Sequence, residues 1–221
     1  MPAKQATAGP ELPERASVKP GPARQRNPRG QGDRLRDDII EAASRLMADP
    51  AAPPLTLRGV AREAGVAATS VYLHFPDIQS LVLAVAERRF GELVGLQDEV
   101  RDSIADPCQR VRAGGLAYCE FGLEHQGQYL VMFTNPLPMP ADMPPEEFPG
   151  RRAFQRVLDA VAECIDSAPD DPEVFRTAQL IWQQLHGIVS LRISRPLFPW
   201  PPLADTVTEA VDRLLAGARS R

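Results

Sequence analysis

The sequence predicts an all-α fold: an N-terminal three-helix unit containing a helix-turn-helix, followed by a larger helical domain. Three observations carry that prediction. Apolar residues recur at helical spacing from Leu35 onward. The stretch 55–81, LTLRGVAREAGVAATSVYLHFPDIQSL, carries helix start and stop signals in quick succession. Proline-containing runs at 49–54, 135–149, 169–172 and 195–202 punctuate the periodic segments.

Taken in order, residues 1–30 hold six prolines, three glycines and almost no large apolar side chains. Such a segment cannot bury enough surface to offset its ordering, and it is expected to be disordered. It carries six Lys/Arg against two Asp/Glu, a net of +4. The whole chain is at −4, so the remaining residues stand at −8. A nucleic-acid-binding protein with an acidic body must concentrate its positive potential somewhere. A basic arm with Arg24, Arg26 and Arg29 at its root is one such place.

Asp33 to Ala48 reads as the first helix, with Leu35, Ile39, Ala42 and Leu46 on one face. Thr56 then offers an N-cap oxygen, and Leu57, Val60, Ala61 and Ala64 form a buried stripe. Gly65 suits a helix end that needs a left-handed residue. Val66 plugs the turn, and Val71 and Phe75 point inward with it. Pro76 stops the second short helix and Asp77 caps the next. Two short helices joined through a glycine turn are the geometry that places a second helix in a DNA major groove.

From Asp77 a long helix runs to about Ile104, leading out of the first unit. Residues 106–134 are helical with a break near His125–Gly127. The aromatic string here holds Tyr118, Phe121, Tyr129, Met132 and Phe133, which are either core or the walls of a ligand pocket. Residues 135–149 hold six prolines and form a loop. Arg151 to Ala168 is the next helix.

Pro172 to Ser194 is apolar on two faces. One has Val174, Ala178, Ile181, Leu185 and Ile188; the other has Phe175, Trp182, Val189 and Ile193. A helix of this kind must be covered on both sides, which points to a second copy of the chain. Leu203 to Gly217 is a last amphipathic helix. The expected division is a tail 1–30, a helix-turn-helix domain 31–80, and a helical ligand-binding and dimerisation domain 81–221.

Composition excludes several function classes. The longest notable apolar run, LVLAVA at 81–86, is far short of a membrane span, and the N-terminus shows no apolar leader. His74, His125 and His186 share no metal-ligand spacing with each other, with cysteines or with carboxylates. There is no glycine-rich phosphate loop and no G-x-S-x-G elbow. No catalytic residue, metal or cofactor is expected. Cys108, Cys119 and Cys164 form no CxxC pair and are expected as reduced thiols in a cytoplasmic protein. His186, on an apolar face beside Trp182, is either a satisfied core histidine or a ligand contact.

The string T-L-R-x-V-A-x-E-A-G-V, followed by Tyr72 three residues before Phe75-Pro76, resembles the DNA-binding signature of the TetR family of bacterial repressors, from about Ile39 to Leu83. Trp182, His186 and Gly187 resemble the W-x-x-x-H-G pattern of one C-terminal class in that family, and so does the aromatic string. The sequence departs from the family pattern at Thr69, where glycine is common, at Gly59, where aspartate is usual, and at Ile78, where lysine is common.

The resemblance implies a homodimer that binds a double-stranded DNA operator and responds to a small apolar effector. Carried over position by position, it implies DNA contacts at Thr56, Arg58, Ala68, Thr69, Ser70, Tyr72, Leu73 and His74. Separately, the apolar and aromatic character of the string over 118–133 and of the helix over 172–194 gives Tyr118, Phe121, Tyr129, Met132, Phe133, Trp182 and His186 as the expected lining of a ligand cavity, the alternative being one continuous core. The rival readings are a protein-interaction adaptor with a helix-turn-helix that no longer binds DNA, and an enzyme with a similar hairpin.

Overall fold

The computed structural model describes residues 31–49, 51–133, 144 and 148–219. The expectations for the tail 1–30, and for the run 135–149 apart from Pro144, Phe148 and Pro149, fall outside the described residues. Among the described residues there are nine helices and no strand: α1 (Gln31–Ala48), α2 (Leu57–Glu63), α3 (Ala68–His74), α4 (Ile78–Ser103), α5 (Pro107–Glu124), α6 (Gln126–Phe133), α7 (Arg151–Ile165), α8 (Pro172–Ser194) and α9 (Leu203–Arg219). None is long and apolar enough to cross a membrane.

Local chemistry explains the short helices. Thr56 Oγ1 accepts from the Gly59 amide at 3.0 Å and starts α2. At its end Gly65 sits at φ +69°, where a Cβ would be strained. The Val66 amide donates to the Ala61 carbonyl at 2.9 Å and the Gly65 amide to the Arg62 carbonyl at 3.2 Å. That pair of bonds satisfies the last carbonyls of α2 in a Schellman motif. Asp77 Oδ1 accepts from the Ser80 amide at 2.7 Å and starts α4. Helix α7 stops three residues before the expected Ala168, because Asp166 turns left-handed at φ +54°.

The apolar residues form two clusters. The first joins α1, α2, α3 and the start of α4, with Ile39, Val60, Val71 and Leu81 fully enclosed. The second joins α4 to α9 and includes Leu93, Tyr129, Val161, Ile181, Val189 and Val207. Helix α5 is its central element, packed against α4, α7, α8 and α9. Among the described residues only α4 contributes buried residues to both clusters, with Leu81, Ala84 and Val85 in the first and Phe90, Leu93 and Val94 in the second. Its 26 residues span about 39 Å. On α8, Val189 belongs to this core, whereas Phe175 and Trp182 remain 49% and 38% exposed.

Two cysteines correct the expectation of three reduced thiols. Cys108 at the start of α5 and Cys164 at the end of α7 form a disulfide, with their Cα atoms 4.8 Å apart. Helix packing, not sequence spacing, brings them together across a separation of 56 residues. Cys119 is free and buried, and burial pushes its thiol up to about 12.

The two clusters touch a second time where α6 meets the end of α1. A Cβ on Gly127 would lie 2.2 Å from the Ala48 Cα and 2.9 Å from the Met47 carbonyl oxygen. Backbone cannot give way as a flexible side chain can. Gly127→Ala should therefore lower the unfolding free energy by about 1–3 kcal/mol, read from urea denaturation. An unchanged midpoint would show that α1 and α6 are not in fixed contact.

Candidate functional site

The first candidate surface is the exposed side of the helix-turn-helix. Inward residues of α3 are fixed by Val71, which is fully enclosed, and Phe75 follows it into the first cluster. The opposite side of α3 faces outward, with Tyr72 50% exposed and Leu73 85% exposed. Thr69, Arg58 and Thr56 are exposed as well, and Ala68, Ser70 and His74 are half-buried. All eight residues named from the sequence thus lie on α2, α3 or the residue capping α2, and none is enclosed. Thr56 has two tasks open to it. Its oxygen accepts the capping bond, which leaves the hydroxyl proton free to donate.

The second candidate site lies in the core. Tyr118, Tyr129, Phe133, Trp182 and His186 form a connected ring cluster, with centroid separations from 4.8 Å for Tyr129–Phe133 to 6.3 Å for Phe133–Trp182. A polar chain runs through it. The Tyr118 and Tyr129 hydroxyls are 2.9 Å apart, Tyr129 Oη lies 2.7 Å from His186 Nδ1, and His186 Nε2 lies 3.3 Å from Ser190 Oγ. A neutral imidazole has one donor and one acceptor nitrogen, so this chain can be satisfied in either direction. Burial pushes the Tyr118 and Tyr129 hydroxyls above the ordinary phenol range. It pushes His186 below its ordinary value, which favours the neutral ring.

A cavity of about 70 Å³ lies to one side of this cluster, between α4, α5, α7 and α8. Of the seven ligand-site residues named from the sequence, Tyr118 and Trp182 line it. The other five are not among the residues that line this cavity. Phe121, Tyr129, Met132 and Phe133 pack in the second cluster, and His186 joins them through its bond to Tyr129. Sequence reasoning missed the polar lining residues Gln97, Arg110 and Arg156. Their positions carry no apolar signal, and only packing shows that they turn inward.

No group of three or more His, Cys, Asp or Glu capable of holding a metal occurs among the described residues.

The lowered His186 value fixes a pH dependence. Folding disfavours the protonated ring, so the unfolded chain binds more protons than the folded one in the window just below 6.5. Stability rises with pH there and is lost as the pH falls below the ordinary value. Urea midpoints taken from about pH 7.5 down to about pH 5 should decrease, and His186→Gln should flatten the decrease. An equal slope in the variant would assign it to other groups.

Comparison with known proteins agrees with this geometry. The family model described as bacterial regulatory proteins, tetR family, matches residues 39–85. The model described as tetracyclin repressor-like, C-terminal domain, matches residues 111–217. Among solved structures, a Rhodococcus sp. RHA1 protein of unknown function is 27% identical, with 83% of this chain and 94% of that chain covered and a TM-score of 0.69. A TetR-family transcriptional regulator from Streptomyces coelicolor is 15% identical, with coverage of 83% and 99% and a TM-score of 0.61. LfrR from Mycobacterium smegmatis, solved in complex with proflavine, is 17% identical, with coverage of 83% and 97% and a TM-score of 0.61. The two family models occupy both clusters of the fold in the order expected, and the chain belongs to the TetR family of transcriptional regulators.

Proposed function

We propose that this regulator is a cytoplasmic homodimeric repressor, released from its operator by a small, largely apolar effector. The observation that carries the proposal is the position of the cavity. It adjoins α4, the helix whose other end packs into the DNA-binding cluster through Leu81 and Val85. A molecule that enters the cavity and displaces α4 changes the separation of the two heads of a dimer. The device works only if the effector binds the DNA-incompetent arrangement better than the competent one. LfrR, which shares the fold, was solved with a small molecule bound.

On the DNA side, α3 enters the major groove, and two heads read half-sites about 34–36 Å apart or a multiple of that. Thr56, Tyr72 and His74 touch phosphates, and Arg58 supplies positive charge beside them. Ala68, Thr69, Ser70 and Leu73 face base edges. Their small or apolar side chains offer methyl contacts and single hydroxyl bonds, not bidentate readout. A larger share of specificity then comes from DNA shape.

On the dimer side, α8 and α9 pair with their copies in a four-helix bundle about a two-fold axis. Phe175, Trp182 and Leu191 leave α8 with exposed apolar surface, which supports this arrangement. A Cβ on Gly187 would meet nothing within 4 Å in the single chain, so the room there is available to a partner helix.

A gel shift with the DNA flanking the protein's own gene tests the reading. Leu73→Glu alters a side chain that is 85% exposed, so stability should stay within about 0.5 kcal/mol while the shift is lost. Retained binding would take α3 out of the groove. Gly187→Leu should leave each protomer folded and yield monomers by light scattering. A dimer that survives it would place the interface elsewhere.

A further inference from the structure

We propose that the cavity between α4, α5, α7 and α8 takes a slender, uncharged molecule with an apolar body and one hydroxyl or primary amide, which Arg110 and Gln97 recognise together. The inference rests on the ligand-responsive reading above and names the chemistry that its site selects.

Size comes first. At about 70 Å³ the cavity is less than half the roughly 150 Å³ that admits benzene. With its walls in place it cannot enclose benzene, so it holds the polar head and first carbons of a slender molecule whose apolar tail runs out through the open side of the cavity. Val111, Tyr118, Ile181 and Leu185 supply apolar wall on α5 and α8.

Two polar atoms then set the chemistry. Gln97 Oε1 and Arg110 Nε are buried without a hydrogen-bond partner among the described residues, and both residues line this cavity. Buried polar groups are otherwise paired almost without exception, so two orphans on one cavity mark a place for a partner group. One is an acceptor and the other a donor. A hydroxyl, or a primary amide through its two atoms, answers both.

Each terminal nitrogen of Arg110 already has one acceptor. Its Nη1 pairs with Glu163 at 2.7 Å, and its Nη2 donates to the Ala105 carbonyl at 3.3 Å. Three of its five N–H groups are left, the Nε–H among them, and a carboxylate gripped through Nε and Nη2 would share one guanidinium with the Glu163 carboxylate, against like-charge repulsion. Charge on the walls is also balanced. Arg101, Arg110 and Arg156 stand against Asp159, Glu163 and the Asp98 carboxylate, which holds Arg156 at 2.6 Å. No uncompensated cation is left for an anion to neutralise, and the neutral form of the ligand is selected.

The test uses the full chain without DNA and four probes of similar size: 1-butanol, butanamide, butanoate and diethyl ether. The ether accepts a hydrogen bond but cannot donate one. Binding is read as a saturable rise in Tm and as saturable NMR shifts. Butanol and butanamide should bind at least about fivefold more tightly than butanoate or the ether, the worth of roughly one hydrogen bond. Gln97→Met keeps the side-chain length and removes the acceptor. It should weaken butanol about fivefold and bring it level with the ether. Preference for butanoate, equal binding of all four, an unchanged butanol affinity in Gln97→Met, or no saturable binding by any probe would each overturn the proposal. The probe series on the unaltered chain decides the matter even if the variant folds poorly. Binding of butanol without operator release in the gel shift would sink the effector reading and leave this site standing. Operator release by another molecule, with no probe bound, would do the reverse.

Discussion

A buried guanidinium holds the two halves of this protein together. Arg89 lies on α4 between the two apolar clusters and is only 7% exposed. An arginine cannot shed its charge, so it must be met by partners or cost several kcal/mol. Here Nη2 and Nε reach Ser44 Oγ at 2.8 and 3.2 Å, Nη1 reaches Glu92 at 2.7 Å, and Nη2 reaches Glu41 at 3.1 Å. Ser44 and Glu41 belong to α1, and Glu92 to α4 itself. Moving α1 away from α4 would strand that charge, which keeps the head in one orientation. The neighbouring Arg88 reinforces the seam through Asp37 at 3.1 Å and Glu41 at 3.2 Å.

The seam has a third member. Helix α6 approaches α1 so closely that only glycine fits at 127, and Gln128 donates to the Ser44 carbonyl at 3.5 Å. Displacement of α4 therefore does not travel along one rod. It passes through a junction of α1, α4 and α6, each of which touches the other two. Because α6 carries Tyr129 and Phe133, the aromatic cluster and its polar chain are mechanically joined to the head as well.

How much of this was legible in the sequence depends on the range of the interaction. Caps and turns are local, and Thr56, Gly65 and Asp77 were readable because each acts on residues within a few positions. The bounds of α8 were readable too, since Asp171 and Pro172 start it and Pro196 follows its end. Arg89 was not, because it stands in a run with Glu87 and Arg88 that looks like solvated surface, and only the path of α1 decides which arginine is covered. The candidate site divides in the same way. Outward residues of α3 follow from its inward ones by helical geometry, whereas the cavity is a gap between four helices and no single segment encodes it. Of the aromatic residues expected as pocket walls, Tyr118 and Trp182 do line the gap, but polar residues of α4, α5 and α7 line it with them. The cysteine pair was hidden for the same reason, its partners being adjacent only after α5 and α7 pack.

That cysteine pair gives the cavity a spine. Cys108 precedes Arg110 by two positions, and Cys164 follows Glu163 directly, so the Arg110–Glu163 ion pair lies next to the covalent link between α5 and α7. Arg219 closes the same end by donating to the Cys164 carbonyl at 2.7 Å. With that edge bound, α5 and α7 can part only as the leaves of a book part, from the far side. An incoming molecule too large for the resting space would pry at Tyr118 and Trp182, where the aromatic cluster begins, and leave the bound edge in place.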